Sequence, residues 1–233
     1  MKAPLQTCEN CQHRKDSVFK GCDIEKVADM DQHKSCFMYK KGQIIFHEDG
    51  FPSGLYCIHS GKVKIAKSNS EGKEQILRLA KQGDIIGYRS LVAGTPYSAS
   101  GVVLEDALVC FFSKEYFENN LLYTSPVSME ISKLMSVELG KAEERMTHMA
   151  LKPVRERLAE ALLLLHRTFS QDNTECTSIN ILREDLANIV GTTKETAIRF
   201  LSEFKNDKII SSRGSNIVIL DLERLIQISK MYD

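Results

Sequence analysis

Side chains that can contact nucleic acid are concentrated in one short stretch near the C-terminus. It reads Gly191-Thr-Thr-Lys-Glu-Thr-Ala-Ile-Arg199. In the major groove of DNA, a glutamate such as Glu195 can accept a hydrogen bond from cytosine, and an arginine such as Arg199 can donate two to guanine. Lys194 adds a cation next to them. These residue types at this spacing indicate that the stretch reads base edges.

Two helices flank the turn within this stretch. Apolar residues at helical spacing predict one helix within Ile181–Val190 and a second over Lys194–Asn206. The glycine between them can take the positive φ angle that ends a helix. Thr192 or Thr193 can cap the second helix, and Thr192-x-x-Glu195 has the spacing of a capping box. The pattern predicts a helix-turn-helix; the alternative is a solvated helix in an ordinary bundle.

A β-hairpin is predicted after the second helix. Two apolar segments within Lys208–Leu220 flank the turn Arg213-Gly-Ser-Asn216, which predicts the wing of a winged helix. Arg213 and Ser215 can bind phosphates there, or the turn is only solvated. The other elements predicted in this half are a hinge at Leu151–Val154, a helix over Val154–Phe169, a loop over Ser170–Thr174, a strand over Ser178–Ile181 and a last helix over Leu222–Met231.

Short apolar segments alternate with glycine-containing turns through the middle of the chain. Ser60-Gly61 separates two of them and predicts a hairpin turn. Repeated short strands with glycine turns are typical of an all-β sandwich or jelly roll. The segments predicted as strands are Tyr39–Phe46, Leu55–His59, Lys62–Ala66, Gln75–Ala80, Gln82–Gly87, Ser98–Leu104 and Ala107–Phe112.

Residues 113–151 change to helical periodicity. Val127, Ile131 and Leu134 mark one face. A second set of residues follows a 4-3-4-3 spacing, which is typical of a coiled-coil seam. It consists of Met135, Leu139, Ala142, Met146 and Met149. The seam predicts a parallel homodimer; the alternative is a helix packed on its own domain.

The stretch from Gly191 to Arg199 resembles the G-x-[ST]-x-E-T-x-x-R signature of the catabolite activator and fumarate–nitrate regulator (CRP/FNR) superfamily. The resemblance covers nearly the whole chain and implies a transcription factor with a cyclic-nucleotide-binding-type sensor domain. The resemblance implies that Glu195 and Arg199 contact the edges of the bases. Lys194 and Ile198 stand where family members have an arginine and a serine, so the operator sequence does not transfer. The candidate DNA-binding residues are Thr192, Thr193, Lys194, Glu195, Arg199 and Arg213.

The ligand pocket implied by this resemblance departs from the family pattern. Cyclic-nucleotide binders carry G-E-x-x-L and R-[ST]-A, where the glutamate binds the ribose and the arginine binds the phosphate. Here Tyr88 replaces the glutamate and Tyr97 replaces the arginine. Because a cyclic phosphate would lose its charge-assisted partner, we expect that cAMP is not the effector. The candidate effector pocket consists of Gly87, Tyr88, Arg89, Tyr97 and Ser98.

The cysteines of the N-terminal segment are candidate metal ligands. Thiolates at close spacing are the ligands of iron–sulfur clusters and of zinc, and free thiols are the alternative. The resemblance implies that oxygen-sensing members hold a cluster with N-terminal cysteines and one cysteine of the sensor sheet. Ten residues separate Cys11 from Cys22, a longer gap than in the oxygen sensor. The candidate ligands are Cys8, Cys11, Cys22 and, in the sheet, Cys110.

Composition narrows the functional class. The 233 residues include 31 acidic and 31 basic side chains, so a DNA-binding face must be a local patch. No apolar run is long enough to span a bilayer and no signal-peptide core is present, which predicts a cytoplasmic protein without membrane contact. Motifs of phosphate loops, nucleophile elbows and zinc proteases are absent from the sequence, so we expect no enzyme.

These observations predict an α+β protein with a β jelly-roll sensor domain, a long dimerisation helix and a C-terminal winged helix-turn-helix. The expected function is a homodimeric transcription factor that binds a pseudo-palindromic operator on double-stranded DNA, with RNA polymerase as a further partner. One alternative is an iron–sulfur redox regulator, and another is a ligand-binding module that docks a protein. The predicted parts are the cysteine-containing segment 1–36, the β sandwich 37–124, the dimerisation helix and hinge 125–151 and the winged helix 152–233.

Overall fold

The structure is a computed structural model that describes residues 7–123, 125–169 and 178–230. The chain divides into two compact units, Met1–Gly140 and Lys141–Asp233. The loop predicted over Ser170–Thr174 and the end of the last predicted helix at Met231 lie outside the described residues. Within the described ranges, no helix is both long and apolar enough to cross a membrane.

An antiparallel six-stranded sheet forms the centre of the first unit. The strands run in the order β1-β6-β3-β4, while β2 pairs with β6 and β5 pairs with β3. The strands are β1 (Lys34–Tyr39), β2 (Ile44–Phe46), β3 (Gly54–Ser68), β4 (Glu74–Ala80), β5 (Ile85–Ile86) and β6 (Ser100–Ser113). The β domain expected from glycine-punctuated apolar segments is therefore present.

The hairpin predicted at Ser60-Gly61 is wrong, because both residues lie within the strand β3. The strand continues through Gly61, where its register with β6 shifts. Gly61 has a φ angle of 87°, and a Cβ atom there would lie 2.4 Å from the Asp106 carbonyl oxygen. The glycine allows a close approach of two strands at a bulge, a role that local sequence does not distinguish from a turn. The two strands predicted within 98–112 likewise form one strand, β6.

Helices cover the sheet of the first unit. The helix α1 (Ile24–His33) is capped by Asp23, whose carboxylate accepts from the Lys26 amide. A short helix α2 (Tyr88–Ala93) follows β5, and α3 (Lys114–Tyr116) leads into a π-helical segment over Phe117–Leu122. The predicted segment 1–36 thus contains α1 and the first residues of β1.

The long helix α4 (Ser125–Leu151) carries two kinds of apolar residues. Val127 and Ile131 are buried in the core of the first unit. The seam residues are exposed in the single chain, from 40% at Met135 to 71% at Met146. The helix ends at Leu151, one residue before Lys152 and Pro153, where the hinge was predicted.

The second unit has the winged helix-turn-helix arrangement. Its elements are α5 (Val154–Phe169), β7 (Ser178–Asn180), α6 (Arg183–Val190), α7 (Lys194–Asn206), β8 (Ile210–Arg213), β9 (Asn216–Ile219) and α8 (Leu222–Ser229). The three strands form an antiparallel sheet in the order β7-β9-β8. Buried residues of every helix of this unit pack inward, among them Leu162 of α5, Leu186 of α6 and Phe204 of α7. The predicted fold class is confirmed.

Candidate DNA-binding surface, sensor pocket and thiol cavity

The turn between α6 and α7 is set by one glycine and one threonine. Gly191 ends α6 in the left-handed conformation, with a φ angle of 70°. Thr193 caps α7, and its hydroxyl accepts from the Thr196 amide over 3.3 Å. The cap is therefore Thr193 with Thr196, and the capping box predicted for Thr192 and Glu195 is wrong. The observed cap lies one residue after the predicted one, so the Glu195 side chain is not used for capping.

The helix α7 separates buried from exposed residues by face. Ala197 and Leu201 are buried on its inner side, as is Phe204 one turn further. On the other side the exposed residues at the N-terminal half are Lys194, Glu195, Ile198 and Arg199. This is the part of a second helix that enters the major groove in a helix-turn-helix. The arrangement presents two cations, one carboxylate and one apolar side chain to solvent.

The two cations of this face make only solvent-exposed contacts. Lys194 Nζ lies 3.4 Å from a Glu184 carboxylate oxygen, and Arg199 lies 3.6 Å from Glu203. The Arg199 guanidinium also lies over the Phe200 ring, 4.3 Å from its centre. Exposed ion pairs contribute only about 0.2–1 kcal/mol, so both cations can exchange these partners for DNA at little cost.

The wing presents a further cation. Arg213 is exposed at the end of β8, opposite Asn216 of β9, and Gly214 turns the chain with a φ angle of 57°. The predicted turn from Arg213 to Asn216 thus has the expected bounds. A guanidinium at the tip of a hairpin can reach the DNA backbone without entering the base stack.

Arg157 of α5 is a positioning residue that the sequence reading missed. Its guanidinium donates to the carbonyl of Val190 over 3.1 Å and to that of Gly191 over 3.5 Å, at the end of α6. It also donates to the Met149 and Lys152 carbonyls at the end of α4. Unpaired carbonyls at helix C-termini attract cations. One arginine therefore holds the helix-turn-helix turn, and no local pattern predicts this because its contacts are distant in sequence.

An aromatic cluster fills the place where the resemblance puts the ligand phosphate. The Tyr97 ring stacks on Phe46 with 4.2 Å between ring centres, and Phe46 in turn contacts Tyr56. A Cβ atom added at Gly87 would lie 3.5 Å from the Tyr97 hydroxyl, so the ring also packs against the backbone there. Burial raises the pKa of Tyr97, which keeps it neutral. The cluster offers no charged partner for a phosphate.

The other candidate pocket residues lie elsewhere. Tyr88 is buried in a different part of the core, together with Ile131 of α4, and does not share the cluster of Tyr97. Arg89 and Ser98 are exposed. Gly87 and Tyr97 thus pack together, the Tyr88 side chain joins another cluster, and the side chains of Arg89 and Ser98 face solvent.

Four cysteines line one cavity of about 50 Å³ in the first unit. They are Cys8 and Cys11 of the N-terminal segment, Cys57 of β3 and Cys110 of β6. His13, Arg14, Lys34 and His59 contribute polar groups to the same wall, and the sulfur of Cys11 lies 3.8 Å from His59 Nδ1. The sequence reading placed three of these four thiols together and missed Cys57.

The thiols of this region differ in proton affinity. Burial raises the pKa of Cys8 to about 11, although Lys34 donates to its sulfur over 3.2 Å. A hydrogen bond from Cys110 lowers the pKa of Cys36 to about 7. The same hydrogen bond and burial raise the pKa of Cys110. The two thiols share one hydrogen bond, so the protonation of one affects the other.

Only part of the predicted metal set lines this cavity. Within the described ranges, no three cysteine, histidine, aspartate or glutamate side chains are grouped closely enough to hold a metal ion. Cys22 packs against the hydrophobic core of α4 and Phe117, and it is not part of the described cavity wall. Three of the four predicted ligands thus line one cavity and Cys22 does not, so the metal set stays a prediction.

Comparisons with known families agree with the two units. Residues 37–122 match the cyclic nucleotide-binding domain family, and residues 156–228 match the Crp-like helix-turn-helix domain family. The chain belongs to the CRP/FNR family of transcriptional regulators. The resemblance of the stretch from Gly191 to Arg199 is confirmed. CRP/FNR regulators bind DNA and act as dimers, and they are not enzymes.

Individual CRP/FNR relatives are similar over most of the chain. The anaerobic regulatory protein of Bacillus subtilis is 29% identical over 184 residues, which are 78% of this chain and 77% of that protein. The transcriptional activator protein FnrL of Cereibacter sphaeroides is 26% identical over 232 residues, 96% and 92% of the two chains. The solved structure of FixK2 from Bradyrhizobium japonicum has 25% identity and a TM-score of 0.74, and the alignment covers 84% and 96% of the two chains.

Proposed function

We propose that this CRP/FNR regulator binds operator DNA as a homodimer and places α7 of each protomer in the major groove. The observation that carries the proposal is the exposed face of α7 next to the turn, with Lys194, Glu195, Ile198 and Arg199 on the side opposite the buried residues. A second helix held by a tight turn and exposed at its N-terminal end is the element that reads bases in this motif.

The contacts fall into two groups. Glu195 and Arg199 read base edges, since a carboxylate accepts from cytosine and a guanidinium donates to guanine. Lys194, Arg213 and the threonines of the turn, Thr192 and Thr193, bind the sugar–phosphate backbone, which positions the helix without carrying sequence information. The first group sets the operator sequence and the second sets most of the affinity.

The exposed seam of α4 supports the homodimer. Its apolar side chains lie in water in the single chain, and pairing with a second copy would bury them. A two-fold axis would place the recognition helices about 34 Å apart, one turn of DNA. The operator is therefore a pseudo-palindrome. RNA polymerase is a further partner at the promoters where the dimer binds.

The effector is not cAMP in this proposal. The aromatic packing of Tyr97 and the burial of Tyr88 support this, because neither residue offers the ionic contact that a ribose phosphate requires. The redox alternative with an iron–sulfur cluster is not favoured, because Cys22 does not line the cavity that Cys8, Cys11 and Cys110 share. Within the described ranges, no three metal-ligating side chains are grouped closely enough to hold a metal ion. The proposal assigns DNA binding and leaves the effector open.

A salt titration of DNA binding separates this proposal from a module that only docks a protein. Operators are first selected from random double-stranded DNA, and dissociation constants are then measured at increasing salt. A DNA-binding regulator loses affinity steeply because bound cations release counterions from the phosphates. A docking module would select no sequence and would show no such dependence.

Arg199→Ala tests base reading within the same assay. We expect the affinity for the selected operator to fall by about 1–3 kcal/mol, roughly 5- to 150-fold, with a much smaller loss on random DNA. Lys205→Ala is the matched control, because Lys205 is an exposed cation at the other end of α7. Equal losses on both DNAs for Arg199→Ala would refute base reading by this residue.

A further inference from the structure

Three cysteines lie side by side across the central strands of the first unit. Cys110 of β6 is in register with Cys36 of β1 on one side and with Cys57 of β3 on the other. Directly opposed residues of antiparallel strands point to the same face of a sheet. The sheet therefore holds a row of three thiols on one face, with Cys110 in the middle.

The sulfur of Cys110 is directed at Cys36. The two sulfur atoms lie 2.8 Å apart. Directly opposed residues in antiparallel strands have Cα atoms about 4.5–5.5 Å apart, within the range of about 4.4–6.8 Å that a disulfide spans. A bond between these sulfurs can thus form while β1 and β6 stay paired.

A small oxidant can reach this pair. Cys110 lines the thiol cavity, whose volume is about 50 Å³. One water molecule needs roughly 10–15 Å³ on a comparable measure, so a peroxide of two oxygen atoms fits. Cys36 does not line the cavity and is buried, with 8% of its surface exposed. The half-buried Cys110 can meet an oxidant in the cavity, and the buried Cys36 is placed to complete the reaction.

We propose that Cys36 and Cys110 form a dithiol modification site that hydrogen peroxide or a small hydroperoxide converts to a disulfide. Cys110 passes its proton to the Cys36 sulfur along their hydrogen bond while its own sulfur attacks one peroxide oxygen. The O–O bond breaks, the Cys110 sulfur becomes a sulfenic acid, and the released hydroxide takes a proton from solvent to give water. The Cys36 sulfur then attacks the Cys110 sulfur, and the S–O bond breaks with release of a second water. Two thiols are oxidised by two electrons and one peroxide is reduced to two waters.

This modification is independent of DNA binding, and it competes with any metal at Cys110. A cysteine in a disulfide has no thiolate with which to hold a metal ion. It also adds a covalent link between the edge strand β1 and β6, the strand that pairs with it.

The test is peptide mapping of the full chain. Reduced protein is treated with one equivalent of hydrogen peroxide, remaining thiols are alkylated, and the digest is analysed without reductant. We expect a cross-linked peptide pair containing Cys36 and Cys110 and the loss of two hydrogen atoms from the intact mass. Cys57→Ser is the matched control, because Cys57 pairs in register with the same residue on the other side. That variant should still form the cross-link.

Other outcomes overturn the proposal. A cross-link between Cys57 and Cys110, or oxidation that stops at sulfinic acid without a cross-link in the wild-type chain, would exclude the assigned pair. Cys36→Ser should abolish the cross-link and leave Cys110 as a sulfenic acid that a dimedone probe labels. DNA affinity of the reduced chain is measured separately, so a failure to bind DNA does not alter the reading of the peptide map.

Discussion

Tyr97 illustrates how a single side chain can change what a pocket recognises. Its ring packs on Phe46 and against Gly87, where the family resemblance expects an arginine for a phosphate. The hydroxyl is buried, and among the described residues no hydrogen-bond partner reaches it. On folding, the Tyr97 hydroxyl therefore loses its hydrogen bonds to water and gains none in the protein. The ring of Tyr97 therefore stabilises the fold by apolar packing, while its buried hydroxyl lowers the stability.

Tyr97→Phe should stabilise the protein. Removing a buried, unpaired hydroxyl removes its desolvation penalty, so we expect the free energy of unfolding to rise by about 1 kcal/mol. Urea unfolding of both proteins measures the change. Tyr56→Phe is the control, because the Tyr56 hydroxyl lies 3.4 Å from Ser53 Oγ, and its removal should lower stability instead. A loss of stability in Tyr97→Phe would reveal a partner for this hydroxyl.

The sequence predicts the elements that depend on residues within one segment. It does not predict features that depend on contacts between residues distant in sequence. The bounds of α7 follow from helical periodicity and a threonine cap within the same segment, and they agree with the structure. The continuity of β3 depends on the approach of Asp106 to Gly61, and the role of Arg157 depends on α6. For the same reason the pairing of Cys36 with Cys110 could not be read from spacing, because it requires the strand register.

The seam of α4 makes a prediction at the scale of one helix. In the proposed dimer of Met146→Asp, two carboxylates would face each other across the two-fold axis. The apolar contact that Met146 makes at the seam would also be lost. Burying such a side chain contributes about 1.5–3 kcal/mol, so the dimer dissociation constant should rise at least about tenfold. Light scattering as a function of concentration measures this change.

Thr147→Asp is the matched control for the seam. It adds the same charge one residue further along α4, outside the 4-3-4-3 spacing, at a position that is also exposed. We expect its mass to remain that of a dimer. A dimer that persists in Met146→Asp would place the contact between protomers on another surface.

The whole molecule combines a sensor unit with a DNA-binding unit, and its regulation is a question of differential binding. An effector changes DNA affinity only by as much as its own affinity differs between the arrangements of the dimer. A ligand with equal affinity for both arrangements therefore changes nothing at the operator. Family membership alone does not predict the ligand, because Tyr97 stands where the resemblance expects the arginine that binds the phosphate.

Cyclic AMP should leave operator affinity unchanged. We expect equal dissociation constants with and without saturating cAMP, because Tyr88 and Tyr97 stand in place of the residues that bind ribose and phosphate. Ionic strength must be matched in the two titrations, since cAMP is added as a salt and DNA binding depends on salt. Tighter operator binding that appears only with cAMP would contradict the expectation.

The guanidinium of Arg157 hydrogen-bonds two segments at once, the end of α4 and the end of α6. Its bonds to the carbonyls of Met149 and Lys152 and those to Val190 and Gly191 use one rigid planar group. If the last turn of α4 rotates, the arginine must either follow it and pull on the turn before α7 or release one of the two helix ends. We therefore expect motion at the end of α4 to be transmitted through Arg157 to the turn before α7.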